Sequence, residues 1–254
     1  YHLDEPLIQQ YGRYLLDLAQ GDFGPSFQYK DYSVNELIAQ GFPVSLRLGG
    51  TAIILAFFIG ALLGTIAALR QNTTTDYTVM AAAMTGISIP NFVLAPLLIL
   101  LFAVHLQWLP AGGWNDGAFL NTVLPIIALT LPYVAYISRL MRSSMIEVLR
   151  SNAIRTARAK GLPERTIILR HALKPALLPV ISFLGPATAG IITGSVVIEQ
   201  IFGIPGIGRY FVQGALNRDY TLVMGVVVFY GVLIIAFNFI VDVVYALLDP
   251  KIRY

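Results

Sequence analysis

The sequence contains no cysteine and little charge. Asp, Glu, Lys and Arg make up 12% of the chain, about half the roughly 25% that is usual in soluble domains. Without cysteine, disulfides, thiolate chemistry and cysteine-based metal sites are excluded. Hydrophobic residues make up 56% of the chain, which excludes a disordered protein. So few charged residues could not cover this much apolar surface in a water-soluble globular protein. This composition predicts a polytopic membrane protein.

Several catalytic motifs are also missing. No Gly is followed by Lys, so the phosphate-binding loop of ATPases is absent. Neither His-Glu-x-x-His nor Gly-x-Ser-x-Gly occurs, which argues against an enzyme embedded in the membrane. The histidines His2, His105 and His171 share no metal spacing, so we expect no metal, cofactor or catalytic residue on this chain. The net charge of +3 fits basic loops beside a membrane, and we expect no nucleic-acid partner.

Five long stretches lack Asp, Glu, Lys and Arg altogether. Each exceeds the about 20 residues that a helix needs to cross a bilayer core. We therefore predict an all-α helical bundle with five membrane spans. The stretches are Leu48 to Leu69, Tyr77 to Val104, Gly117 to Ser138, Pro175 to Ile198 and Tyr220 to Val241.

The distribution of charge predicts the orientation. Nine of the 17 Lys and Arg residues lie between Arg139 and Lys174, and short basic loops stay in the cytoplasm. Tracing the spans from there places the C-terminus inside and the acidic first 43 residues outside. The sequence starts at Tyr1 with neither an initiator Met nor a signal peptide. We therefore expect a further span ahead of it, which would have carried this polar segment across the membrane.

The segment from Arg139 to Lys174 does not read as a loose linker. Apolar and small residues from Met145 to Thr156 have helical spacing, Gly161 then breaks the helix, and Pro163 is suited to start another. Three interpretations fit the segment: a solvated basic loop, a binding site for anionic lipid, or a docking element for a soluble cytoplasmic partner.

The residues of this segment resemble a known family. The run from Ile154 to Val180, IRTARAKGLPERTIILRHALKPALLPV, is similar to the EAA loop of the permease subunits of ABC importers, in the form typical of the peptide branch. Arg155, Thr156 and Ala157 stand at the Glu-Ala-Ala positions, and Gly161 is the glycine of that pattern. Further matching runs are TGISIPNFV, HLQWLPAGGW, IEQIFGIPGIGR, GALNRDYTLV and DVVYALLDPKIRY, so the likeness extends over essentially the whole chain.

The resemblance implies a type I ABC-importer permease fold in the bacterial inner membrane, with the first span of the family absent from this sequence. It also implies a paralogous permease subunit, two cytoplasmic ATPase subunits that hold the ATP and Mg, and a periplasmic protein that delivers a peptide. The implied domains are an extracytoplasmic segment 1–43, a permease domain 44–249 with a coupling loop at 142–174, and a cytoplasmic tail 250–254. The coupling residues would be Arg150, Ile154, Arg155, Thr156, Ala157, Arg158, Lys160, Gly161, Leu162, His171 and Leu173.

Two further sets of residues are candidates for function. Polar groups inside a span are costly against lipid, so we expect them to face a cavity or a partner helix. These candidate path residues are Ser88, Pro90, Asn91, Thr188 and Thr193. The segment Glu199 to Arg209 is too rich in glycine for a predicted helix and too apolar for an exposed loop, so we predict an external gate, or a static corner, at the mouth of the path. Its candidates are Glu199, Phe202, Gly203, Pro205, Gly206 and Gly208.

Two alternatives remain open at this point. An ion-coupled secondary transporter usually has ionisable groups at mid-membrane, whereas Glu199 lies at the end of a predicted span and Asp242 near one. A sibling ABC permease for dipeptides, glutathione or nickel is harder to separate from an oligopeptide permease, because specificity would lie mainly in the delivery protein.

Overall fold

The computed structural model describes residues 5–248, so the predicted tail 250–254 lies outside the described residues. Within this range the chain is helical and forms no strand beyond one isolated bridge between Pro25 and Ser33, which confirms the all-α prediction. The helices, in chain order, are α1 (Leu7–Ala19), α2 (Val34–Leu69), α3 (Thr74–Ser88), α4 (Asn91–Leu98), α5 (Phe119–Leu149), α6 (Asn152–Ala159), α7 (Glu164–Thr166), α8 (Leu173–Gly194), α9 (Val196–Phe202), α10 (Ile207–Leu216) and α11 (Tyr220–Leu248). Two π-helical turns, Ile99–His105 and Ile167–Ala172, follow α4 and α7.

Four continuous helical runs in the described chain are long and apolar enough to cross a membrane: Val34–Leu69, Phe119–Leu149, Glu164–Phe202 and Tyr220–Leu247. They correspond to the first, third, fourth and fifth predicted spans, the third of which begins two residues later than predicted. The first begins earlier than its charge-free core because Ser33 and Glu36 form a capping box at the start of α2. The expected boundary between residues 43 and 44 therefore falls inside α2.

The second predicted span is not one continuous helix. α3 and α4 are bent by 102° relative to each other at a break between Ser88 and Asn91. Pro90 has no N–H to continue α3, and it forces Ile89 into an extended conformation with φ −98° and ψ 115°. The predicted span over Tyr77 to Val104 is therefore a bent pair of helices, which counts as the fifth span if the two halves are taken together.

The bundle has two large apolar clusters, one at each end of α5. The end that carries the basic segment 139–174 is called the basic end here, and its cluster includes Met141, Met145, Ile154 and Ile167. The opposite end is filled by side chains around Phe202. Between them α2 and α5 pack closely, because a Cβ at Gly60 would lie only 2.8 Å from Ile137. Gly60 and Gly64, four residues apart, are typical of a packing seam of small residues, and this contact agrees with that pattern.

Candidate functional site

The predicted coupling loop, 142–174, begins inside α5 and leaves that helix after Leu149. Arg150 follows the last residue of α5, and the Ser151 hydroxyl then caps α6 by accepting a hydrogen bond from the Ile154 N–H at 3.5 Å. The residues with helical spacing from Met145 to Thr156 belong to two helices, because the chain leaves α5 at Arg150 and restarts at Ser151, a residue type that favours helix starts.

α6 is amphipathic and lies on the basic end of the bundle. Ile154 and Ala157 are buried in the apolar cluster there, whereas Arg155, Thr156 and Lys160 are exposed. Two of the predicted coupling residues therefore anchor the helix to its own bundle, and the exposed ones form the face that a partner protein would meet.

A left-handed glycine, Gly161, ends α6. Gly161 has φ +75°, and the N–H groups of Gly161 and Leu162 donate to the carbonyls of Arg158 and Ala157 at 2.9 and 3.3 Å. This is the Schellman arrangement of a helix C-terminus, in which glycine supplies the left-handed residue. The space around the Gly161 Cα is open, so the backbone angle and not crowding requires glycine. The predicted helix–glycine–helix pattern is confirmed at this position.

An ion pair crosses this turn. The Arg158 guanidinium donates to the Glu164 carboxylate at 2.7 and 3.4 Å. Arg150 likewise donates to Gln71 at 3.1 Å. These two arginines are engaged within the chain, whereas His171 is exposed and Leu173 is half-buried at the far end of the loop.

The break between α3 and α4 opens on a cavity of about 460 Å³, here called the central cavity. Of the candidate path residues, the structure brings Pro90 and Asn91 to this cavity, and the Asn91 Oδ1 is buried without a hydrogen-bond partner in the described chain. The remaining lining residues were not predicted from the sequence. Two of them, Pro132 and Pro186, were the available signal, because proline bends a helix and can open space beside it. The lining residues are Gly86, Ile87, Ile89, Pro90, Asn91, Pro132, Tyr133, Tyr136, Phe183, Pro186 and Ala187.

The candidate hydroxyl residues do not line this cavity. Ser88 donates to the Met84 carbonyl at 3.1 Å, and Thr188 donates to the Leu184 carbonyl at 2.6 Å. Thr193 donates to the Ala189 carbonyl at 2.8 Å and lines a different cavity of about 440 Å³. Each hydroxyl donates its hydrogen bond to a carbonyl of its own helix. It therefore needs no water or partner helix as an acceptor, which was the reason for expecting it at the path.

The segment from Glu199 to Arg209 forms a short turn between two helices, here called the glycine turn (Gly203–Gly206). Glu199 and Phe202 belong to α9, and Ile207 starts α10, so the prediction of an entirely non-helical segment is wrong. Gly203 ends α9 with φ +66°. The glycines fall at helix ends and at close contacts, which is why a high glycine content did not prevent helices. The expected burial of Phe202, Ile204 and Ile207 is confirmed.

Glu199 is fully buried beside this turn. Its Oε1 accepts hydrogen bonds from the Ser45 and Ser195 hydroxyls, each at 2.6 Å, and its Oε2 accepts one from the Arg209 N–H at 3.2 Å. The Ser45 oxygen in turn accepts from the Ile207 N–H at 3.0 Å. One carboxylate therefore joins α2, α9 and the start of α10, where a helix N-terminus favours negative charge.

The glycines beside Glu199 make this arrangement possible. A Cβ at Gly206 would collide with the Glu199 carboxylate, and one at Gly208 would lie 2.8 Å from its Oε2. On the other side of the turn, the Gly113 N–H donates to the Phe202 carbonyl at 2.7 Å, which attaches the loop before α5. Ser45 could not be predicted as part of this site, because a lone serine in a helix carries no information about its partner.

The helical membrane fold described above is that of a transport permease. Residues 60–254 match the family model of the binding-protein-dependent transport system inner membrane component, and the chain belongs to this family of non-catalytic inner-membrane subunits of ABC importers. Among individual proteins, it is 64% identical over its full length to the oligopeptide transport system permease protein OppB of Salmonella typhimurium, covering 83% of that protein. It is 53% identical over 253 residues to the dipeptide transport system permease protein DppB of Bacillus subtilis, covering 82% of it.

The fold also agrees with a solved transporter. An inward-facing structure of the MetNI methionine ABC transporter has a chain that superposes with a TM-score of 0.71 at 20% identity, over 84% of this chain and 96% of that one. At this identity the likeness concerns the fold.

Proposed function

We propose that the chain is a permease subunit that, with a paralogous subunit, forms the path for oligopeptides across the bacterial inner membrane. The observation that carries this is the 64% identity over all 254 residues to an oligopeptide permease protein. Dipeptide transport is the second candidate, because a dipeptide permease protein is 53% identical over nearly the same length. Peptides share a backbone and two charged termini, so one path can accept both.

We further propose that two ATPase subunits bind the coupling loop from the cytoplasm and a periplasmic binding protein delivers the peptide. Exposed Arg155, Thr156 and Lys160 would contact an ATPase, and Ile154 and Ala157 would hold α6 on the bundle. The excess of basic residues at this end supports a cytoplasmic coupling loop and C-terminus, with residues 1–43 periplasmic. ATP and Mg would be held by the ATPases.

In this proposal the central cavity at Pro90 and Asn91 belongs to the path, and the glycine turn belongs to its outer gate. The cavity supports the first assignment because it lies where a span is broken and its lining mixes aromatic, amide and exposed backbone groups. The burial of Phe202 and Glu199 beside an irregular turn supports the second, because such backbone at membrane depth needs shelter by protein.

Reconstitution of the complete complex in liposomes tests the proposal. Labelled peptides of two to six residues would be supplied with their binding protein, and ATP-driven uptake would be measured for each length. We expect uptake of the longer peptides to depend on ATP and on all subunits. Uptake of dipeptides alone would favour the second candidate. ATP-independent uptake driven by an ion gradient would overturn the ABC assignment of the energy source.

A further inference from the structure

Asp76 and Arg142 form an ion pair that no transport role yet explains. Asp76 lies in the first turn of α3 and is 1% exposed, and Arg142 lies on α5. The guanidinium donates from Nε to Oδ1 and from Nη2 to Oδ2, both at 2.6 Å. The Asn72 N–H donates to the same Oδ2 at 2.9 Å. Both carboxylate oxygens are therefore satisfied in a two-pronged geometry, which is the strongest form of such a pair.

This pair fastens the start of α3 to α5. Separating the helices here would leave the buried Asp76 carboxylate without its cation, and an uncompensated buried charge is strongly destabilising. The neighbouring backbone is equally close: a Cβ at Gly64 of α2 would lie 2.7 Å from Met141 and 3.0 Å from the backbone nitrogen of Arg142. The basic ends of α2, α3 and α5 thus form one tightly joined unit.

The other end of α3 also lies directly on α5. A Cβ at Gly86 would lie 2.6 Å from the Leu131 carbonyl oxygen, so the backbones of the two helices touch. Beyond the break the chain turns by 102°, and Ala95 of α4 joins the apolar cluster around Phe202 at the opposite end of the bundle. The break therefore separates a half-span attached along α5 from a half-span that packs beside the glycine turn.

Three prolines meet at this level. Pro132 of α5 and Pro186 of α8 line the central cavity together with Pro90, which lies in the break between α3 and α4. Pro132 and Pro186 each remove a backbone hydrogen bond from their own helix, which is where helices bend most easily. The cavity is thus the level at which the basic end of the bundle can tilt relative to the opposite end. On the basic side α5 runs without interruption to Leu149, three residues before α6 begins.

We propose that Asp76 and Arg142 are positioning residues that make α3 and α5 move as one unit, so that a displacement of the coupling loop reaches the central cavity through both helices. The inference rests on the proposed role of the coupling loop. Without the pair, α5 would still be displaced, but α3 and the break at Pro90 would lag behind it. ATP would then be hydrolysed without a matching change in the cavity.

The chain has no cysteine, which makes the relative motion of the two helices directly measurable. Cysteines introduced at Thr78 of α3 and Ser143 of α5, both exposed, would carry spin labels in a complex whose partner subunits are also free of cysteine. In the wild-type background we expect the same label-to-label distance with and without ATP. In Asp76→Asn we expect the distance to change or broaden when ATP is added.

Transport measured in the same complexes gives the second readout. We expect Asp76→Asn to keep its subunits and its ATP hydrolysis but to move about tenfold less peptide per ATP. The double variant Asp76→Arg with Arg142→Asp restores the attraction and should recover both the fixed distance and the transport ratio. Arg13→Gln, which breaks the exposed pair of Arg13 with Glu5, is the matched control and should change neither.

The outcomes separate the proposal from a purely structural role. An unchanged transport ratio in an intact Asp76→Asn complex would overturn it, as would a wild-type α3–α5 distance that already changes with ATP. If Asp76→Asn does not assemble, Arg142→Lys keeps the charge but loses the two-pronged contact, and a wild-type distance and transport ratio in that variant would overturn the proposal. The distance measurement does not use peptide, so it remains decisive even if the transported substrate is a different one.

Discussion

Gly161 is the residue at which the coupling loop depends most on backbone conformation. Its φ of +75° is unfavourable for residues with a Cβ, and most so for a β-branched one, while the space around it is open. Gly161→Val should therefore cost roughly 1–2 kcal/mol locally and shift the turn between α6 and α7.

We expect this variant to insert and assemble but to lose stimulation of ATP hydrolysis by the loaded binding protein. Gly50→Val is the control, because Gly50 also has open space but lies within α2 at a helical, negative φ. Stimulated ATP hydrolysis at the wild-type level in Gly161→Val would contradict the docking role of the turn.

Asp219 is a buried carboxylate that attaches the segment before α2 to the start of α11. It accepts hydrogen bonds from the Ser26 hydroxyl at 2.5 Å, the Gln28 N–H at 3.0 Å and the Leu222 N–H at 3.1 Å. Burial raises its pKa, but these hydrogen bonds outweigh burial and hold the pKa below the ordinary value of 3.8. The ionised form is therefore the one that stabilises this contact.

The pH dependence follows from that direction. Because the folded pKa lies below the unfolded one, the stabilisation is complete above the ordinary carboxyl range and is lost as pH falls through the lowered pKa. Asp219→Asn should lower the free energy of unfolding by about 2 kcal/mol at pH 7. Thermal unfolding in detergent should show this difference shrinking below pH 3.8. A difference that is constant over pH would show that the charge is not responsible.

At the scale of elements, the glycine turn is either a moving gate or a fixed corner. The Phe202 carbonyl accepts the Gly113 N–H, and Glu199 joins α9 to α2 and α10, so the turn is held from two sides. A bifunctional cross-link between cysteines at the exposed positions Ala111 and Gln200 would tether α9 to the loop that it touches.

We expect the tether to abolish uptake while the binding protein still docks, because a gate must separate these elements. Uptake and docking would be measured in the same liposomes before and after reduction of a cleavable cross-linker. The single-cysteine variants are the controls and should be unaffected. Undiminished uptake in the tethered complex would identify the turn as a static corner.

At the scale of the whole molecule, the outer surface of the bundle is incomplete. The most apolar stretch of α11 is 11% buried, against 50% for that of α5. Ile235 and Phe239 are among its most exposed side chains. Lipid or another permease subunit must cover this surface, because a water-exposed apolar face of such length is unfavourable.

The chain alone is therefore expected not to transport peptide. An omission series in liposomes, removing one subunit at a time, should show ATP-driven uptake only with the paralogous permease and both ATPases present. Insertion of the lone chain, measured by protease protection, serves as the control for its integrity. Uptake by the lone chain would contradict the proposed four-subunit core.

Much of the site was predictable where the pattern is local. The helix–glycine–helix order around Gly161 follows from one glycine and one proline, and the close α2–α5 packing follows from Gly60 and Gly64. Ser88, Thr188 and Thr193 show the limit of this reasoning. A hydroxyl in a span indicates that some acceptor is needed, and the structure supplies that acceptor one turn earlier in the same helix.

The sequence by itself determined the all-α membrane class, four of the five spans as continuous helices and the resemblance to ABC permeases, because apolar length, charge distribution and turn residues are properties of neighbouring positions. Only the tertiary structure decided the 102° break at Pro90, the pairing of Asp76 with Arg142 and the burial of Glu199 against Ser45. The pairing and the burial depend on which helices meet in space, whereas Pro90 sets the place of the break locally and only its angle needed the structure. Contacts between residues 66 or 154 positions apart are set by the packing of whole helices, and no local pattern records them.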